Sequence, residues 1–272
     1  MAPDAAGIDL LYVSDAGTDN VFVYAYPSGT LKGKLTGFAR PAGLCVDKSG
    51  DVFITDLMAF RILKYRHGAA KPMATLKDPA EEPGDCSVDP TTGNLAVTNI
   101  SPPYTGAGDV LVFPKAKGPP KRYVDSAIQY YEFCGYDTKG NLFIDGMKTG
   151  NFGLAELPKG QRSFTNIKVS ESIAYAGAVQ WDGNAVAVGD YERNLIYRFA
   201  VSGDTGTEVG VTHLKGGLLP IGFWIEGSTV IGPNDEGANV MFWKYPAGGF
   251  HTKKISGLRY PWGATISLAP NS

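Results

Sequence analysis

Six oxygen-bearing side chains recur along this 272-residue chain, each closing a short apolar run: Asp15, Asp56, Asn99, Asp145, Asp190 and Asn234. Gathered around one axis, such a set would offer hard oxygen ligands to Ca²⁺ or Mg²⁺. Without a cation, its carboxylates would repel one another and some would rise in pKa. A plainer role is also open, because Asp or Asn at a strand end accepts hydrogen bonds from the backbone amides that follow. A second group mixes charge with aromatic rings: Phe38-Ala-Arg40, Glu81-Glu82, Tyr130-Tyr131-Glu132, Glu171, Tyr175, Arg259-Tyr260 and Trp262. Tyr and Trp on a loop face can anchor a sugar or a flat organic molecule, or wedge between packed elements.

Familiar catalytic sets are missing. There is no Gly-x-Ser-x-Gly elbow, no phosphate loop and no Ser beside a His. The three histidines, His67, His213 and His251, fall at turns and outer strands, where solvated surface positions are expected. The cysteines are Cys45, Cys86 and Cys134. Their odd number and the lack of a Cys-x-x-Cys predict small buried hydrophobes rather than a disulfide framework.

The elements that must position these groups follow from composition and repetition. With 35 glycines and 18 prolines, the chain is too rich in breakers for a helical bundle. Its 43% hydrophobic content excludes disorder. A net charge of −2 argues against nucleic acid as a partner. No run is long and apolar enough for a membrane span. No apolar signal-peptide core follows Met1.

Pro41-Ala-Gly-Leu-Cys-Val-Asp47 aligns with Pro83-Gly-Asp-Cys-Ser-Val-Asp89, Phe133-Cys-Gly-Tyr-Asp137, Ala178-Val-Gln-Trp-Asp182, Ile221-Gly-Phe-Trp-Ile-Glu226 and Trp262-Gly-Ala-Thr-Ile-Ser267. The closing residues are 41 to 48 apart. A period of this length marks a propeller or solenoid. Each unit reads as four short strands, a to d, separated by Gly-, Pro- or Asp-bearing turns, as expected of a propeller blade. The chain opens on strand b, Leu10-Leu-Tyr-Val13, and ends after an orphan strand a, Trp262 to Ser267. Pairing the two closes a ring and leaves no open sheet edge. The expected fold is an all-β, six-bladed β-propeller of four-stranded antiparallel blades. It forms a single domain over residues 1–272, with residues 1–8 as a lead-in.

Residues 41–68, with Pro-x-Gly-apolar-x-apolar-Asp, a Gly-Asp turn, an apolar strand ending in Asp and then Arg61-Ile-Leu-Lys-Tyr65, resemble an NHL repeat. The likeness recurs more loosely along the chain and implies a bacterial, exported NHL-type propeller. Amidating lyases of that type hold zinc with histidines from several blades, and virginiamycin B lyase-like propellers need a channel histidine. The three histidines here cannot converge in that way. Lactonases of similar shape carry an N-terminal Glu-Gly-Pro-x-Trp and a Ser-Pro-Asp strand, and both are absent.

In a propeller the b–c and d–a loops share one face, and here they are the variable loops, so a site is expected at that mouth. The residues proposed for ligand binding are Asp56, Asn99, Tyr130, Tyr131, Glu132, Asp145, Tyr175, Asp190 and Trp262. The expected role is a non-enzymatic binding or scaffold module for a small molecule, carbohydrate or protein. The alternative is a divalent-cation-dependent hydrolase or lactonase with Ca²⁺ in the central channel. A monomer in the periplasm or outside the cell is expected, with the cytoplasm left open.

Overall fold

The computed structural model describes residues 1–79, 82–100, 106–217 and 221–270. Its strands follow the repeat. The first unit holds β1 (Leu10–Asp15), β2 (Asn20–Ala25) and β3 (Leu31–Leu35). The second holds β4 (Pro41–Val46), β5 (Val52–Asp56), β6 (Arg61–Tyr65) and β7 (Pro72–Lys77). The third holds β8 (Glu82–Val88), β9 (Leu95–Ile100), β10 (Asp109–Phe113) and β11 (Lys121–Tyr123). The fourth holds β12 (Tyr130–Tyr136), β13 (Leu142–Lys148), β14 (Asn151–Leu157) and β15 (Thr165–Val169). The fifth holds β16 (Ala176–Trp181), β17 (Val186–Asp190), β18 (Leu195–Ser202) and β19 (Thr205–Lys215). The sixth holds β20 (Trp224–Glu226), β21 (Thr229–Asn234), β22 (Asn239–Lys244), β23 (Gly249–Phe250) and β24 (Lys253–Ser256), and β25 (Pro261–Ser267) follows. β-branched and aromatic residues fill these runs because they pack well on a pleated surface.

The arrangement is that of a β-propeller. Ring closure is as the sequence predicts: β25 pairs antiparallel with β1, Leu10 opposite Ser267 and Val13 opposite Ala264. The sheet pattern departs from six separate four-stranded sheets. There are four such sheets and one of nine strands. In the latter, β15 meets β19 in parallel at Lys168–Thr205 and Val169–Gly206. The cause is the length of β19, whose 11 residues reach past their own sheet to β15 and to β23.

The core lies between sheets. Leu10, Tyr12 and Val23 of the first unit pack on Leu44, Ile54 and Tyr65 of the second. Ala96, Val110 and Val112 of the third pack on Leu142, Ile144 and Ala155 of the fourth. Burying each such larger side chain contributes about 1.5–3 kcal/mol. The innermost strands are thereby held around a channel instead of filling it.

Two expectations fail here. Cys45 and Cys86 form a disulfide between β4 and β8, with Cα atoms 5.6 Å apart. They occupy neighbouring inner strands one repeat apart, which brings them together although no local motif marks them. Cys134 stays a buried thiol. His67 is not a solvated residue. It is buried, with Nδ1 2.6 Å from Ser267 Oγ and Nε2 3.0 Å from the Ile8 carbonyl, and it fastens the ring closure.

Candidate functional site at the channel mouth

The b–c and d–a loops do meet on one face. Ala16 N donates to Tyr260 O, Leu57 N to Arg40 O, Gly108 N to Gln129 O and Tyr191 N to Tyr175 O. The strand-end residues tie these loops down. Asp15 accepts from the amides of Tyr260 (2.7 Å) and Arg259 (3.1 Å). Asp56 accepts from Ala39 N at 2.7 Å and from Arg61 Nε at 2.9 Å. Asp190 accepts from Ala174 N at 3.0 Å and Arg193 Nη1 at 2.9 Å. Asn99 donates to Asp109 Oδ1 at 2.7 Å, and Asp109 pairs with Arg122. Asn234 Oδ1 accepts from Gly237 N at 2.9 Å. These five are fully buried latches, so Asp56, Asn99 and Asp190 face their own loops and not a shared axis. The expected ring of cation ligands does not assemble. Among the described residues no group of three His, Cys, Asp or Glu side chains is placed to hold a metal. The donors present do not fit a Ca²⁺ centre in the channel.

Asp145 is the exception, and its register explains why. Asp15, Asp56, Asn99 and Asp190 lie opposite Pro261, Pro41, Pro83 and Ala176. In the fourth unit that place, opposite Tyr131, belongs to Gly146. Asp145 sits one residue earlier, and one residue along a strand turns a side chain to the other face. In the first three units this slot holds a hydroxyl. Ser14 donates to Ala42 O, Thr55 to Gly84 O and Thr98 to Glu132 O, each a carbonyl on the inner strand of the next unit. Asp145 puts a carboxyl there. Its Oδ1 accepts from Phe133 N at 3.1 Å, and its buried Oδ2 has no partner. Burial, and then the charges of Glu132 and Asp85, push its pKa well above the usual carboxylate range. The protonated form of Asp145 is thereby favoured relative to an exposed aspartate.

Its neighbours share this condition. Burial raises Glu132 to about 6, against a hydrogen bond from Tyr175 Oη to Oε1 at 3.4 Å. Burial raises Asp85 to about 7, against amide bonds that include Cys134 N at 3.2 Å. The same surroundings, with the Glu132 charge second to burial, lift the Tyr175 phenol to about 12. Asp85 lines the channel, whose cavity of about 200 Å³ is also bordered by the disulfide, Phe133, Gln180 and Trp262. Gly43 on β4 makes room for it: a Cβ there would stand 2.5 Å from Asp85 Cα and Oδ1.

The predicted aromatics divide. Tyr130 and Tyr175 are about 40% exposed, at 41% and 40%, and Tyr175 stacks edge-on with Tyr191 at 5.9 Å. Tyr131 is not at the surface. It is fully buried, and its hydroxyl donates to Asp125 O and accepts from Asp125 N. Alternation along β12 turns one of the tandem tyrosines inward. Trp262 borders the channel from β25, with the Arg40 guanidinium 5.7 Å from its ring centroid. Glu81 lies outside the described residues, as does part of the loop between Asn99 and Asp109. Asp85 was missed by sequence reasoning. The available signal was an acid at position 85, where the aligned repeat Pro41–Asp47 has Gly43.

No protein-family model matches the chain. No curated protein matches it either. Solved structures do. A chain from the "Crystal structure of Nidogen/Laminin Complex" superposes with a TM-score of 0.80 at 12% identity, covering 97% of this chain and 100% of that one. A functionally unknown protein from Desulfotomaculum acetoxidans DSM 771 gives 0.68 at 9% identity, covering 96% and 99%. At such identities the likeness shows the propeller fold alone.

Proposed function

We propose that the chain is a six-bladed, NHL-like propeller that binds a small organic cation, such as an amine, at the channel mouth on the b–c/d–a face. The six blades count the two antiparallel halves of the nine-stranded sheet separately. One observation carries the ligand site: Asp145 Oδ2 is buried without a partner beside Glu132, where the equivalent hydroxyls are satisfied. Grouped acids that raise one another's pKa oppose folding, and a positive charge brought among them would relieve that cost. Tyr130 and Tyr175 add ring faces that attract organic cations. Among the described residues no metal donor set is assembled, and a cation-dependent hydrolase or lactonase draws no support from them. A disulfide favours an oxidising compartment, and hence export. No helix among the described residues is long and apolar enough to cross a membrane.

Calorimetric titration with putrescine and spermidine, run in two buffers of different ionisation enthalpy, tests this. Binding should release protons from the raised carboxyls and should weaken about tenfold or more in Glu132→Gln. Absent binding, or binding equal in the variant, refutes the cation site.

A further inference from the structure

On the face opposite the mouth lies a cleft of about 770 Å³, between β11 and the turn joining β14 to β15. We propose that it binds a short acidic oligosaccharide, a uronate or a sulfated sugar. Four cations line it, Lys121, Arg122, Lys159 and Arg162, against a single carboxylate, Asp89. In a chain of net charge −2 this clustering is local and one-sided. Asp89 is turned to its own turn, holding the amide and hydroxyl of Thr91 at 2.7 Å and the hydroxyl of Thr92 at 2.5 Å. Arg122 pairs with Asp109, and Lys159 donates to Thr91 Oγ1 at 2.8 Å. Lys121 and Arg162 are exposed and form no ion pair among the described residues. Lys115 adds charge at the rim, where its amide donates to Asn94 Oδ1 at 2.9 Å.

The rest of the lining selects among anions. Tyr123 and Tyr136 offer ring faces, and Asn94 and Gln161 offer side-chain amides. A sugar ring uses all three features, stacking its apolar face, bonding its hydroxyls to amides and presenting an acid group to Lys or Arg. The volume lies within the roughly 300–1,000 Å³ of a ligand pocket, which suits a di- or trisaccharide. An acidic peptide is favoured less, because strand addition would have only the three residues of β11 to pair with.

Calorimetry with trigalacturonate, at low and high salt, tests the proposal. Binding should weaken with salt and fall about tenfold or more in the double variant K121E/R162E. Both residues are exposed, so the variant should keep its melting midpoint, and R162A serves if it does not. Maltotriose should not bind. Wild-type affinity in a folded variant overturns the proposal. So does a glutamate tetrapeptide binding as tightly as the saccharide, and so does inorganic sulfate matching it. An acidic sugar left unbound at low salt also overturns it, if a sulfated trisaccharide is unbound too.

Discussion

Replacing Asp85 by asparagine should stabilise the protein, and only above mildly acidic pH. The carboxyl rises from 3.8 to about 7 on folding, chiefly by burial in the channel wall. Between these values the folded state holds a proton that the unfolded state has lost. Stability therefore falls as pH rises through this window, by about 1.4 kcal/mol per pH unit for one group. Three units would give about 4 kcal/mol. Solvent screening in the channel reduces this to about 2 kcal/mol at the lower end. The side-chain amide of D85N cannot ionise, but its oxygen can still accept from Cys134 N. Wild type and D85N should thus unfold alike near pH 4, and D85N should lead by about 2–4 kcal/mol at about pH 7 and above. Urea unfolding of the oxidised proteins, stepped across that range, reads the difference directly. A constant gap between the two, or a wild-type stability that rises through the window as fast as the variant's, would refute the placement of a neutral carboxyl in the channel.

Further outcomes follow from the same contacts. Reducing the disulfide, or replacing it in C45S/C86S, should lower stability by about 4 kcal/mol, because the bridge closes a loop of separation 41; equal melting with and without reductant would contradict it. Deleting residues from Pro261 onward removes the strand that pairs with β1 and should abolish cooperative unfolding and monodispersity by light scattering. Arg61→Ala leaves the buried Asp56 without its cation and should cost about 3 kcal/mol at neutral pH, with partial recovery in Arg61→Lys. Asp145→Thr restores the hydroxyl of the first three units, so it should raise the melting midpoint at neutral pH and remove amine binding.

Much of the fold was legible because its signals are local and repeated. The orphan strand at Trp262 to Ser267 announced ring closure, and β25 supplies it. The disulfide was not legible from cysteine count or motif. It is visible only once Cys45 and Cys86 are placed on equivalent strands one repeat apart. The long reach of β19 could not be read from strand patterning, since pairing with β15 uses backbone groups that any sequence carries. Asp145 was found but misplaced. It follows Asp137 by eight residues, Asp190 follows Asp182 by eight, and Asp56 follows Asp47 by nine. Turns of different length absorb one residue, so equal spacing conceals opposite faces. Asp145 and Asp190 look alike in sequence, yet Asp190 is latched by Arg193 and Asp145 keeps a buried Oδ2 without a partner.

A feature required by the scaffold should recur in each unit, whereas a ligand site need not. The latches recur. The carboxyl in the hydroxyl slot, the buried channel-wall acid Asp85 and the cluster of cations on the opposite face belong to the third and fourth units. Tyr136 of β12 borders both the channel and the cationic cleft, so the two proposed sites share a wall. The sign of a stability change then separates scaffold from site. Removing a latch such as Asp56 strands the Ala39 amide and takes the carboxylate from Arg61 Nε, and should lower stability and binding together. Replacing Asp85, Glu132 or Asp145 by a neutral side chain removes the cost of burying an acid whose pKa rises on folding, and should raise stability at neutral pH, with binding lost when Glu132 or Asp145 is changed. Destabilisation by all three neutral variants would mean that these acids belong to the scaffold after all.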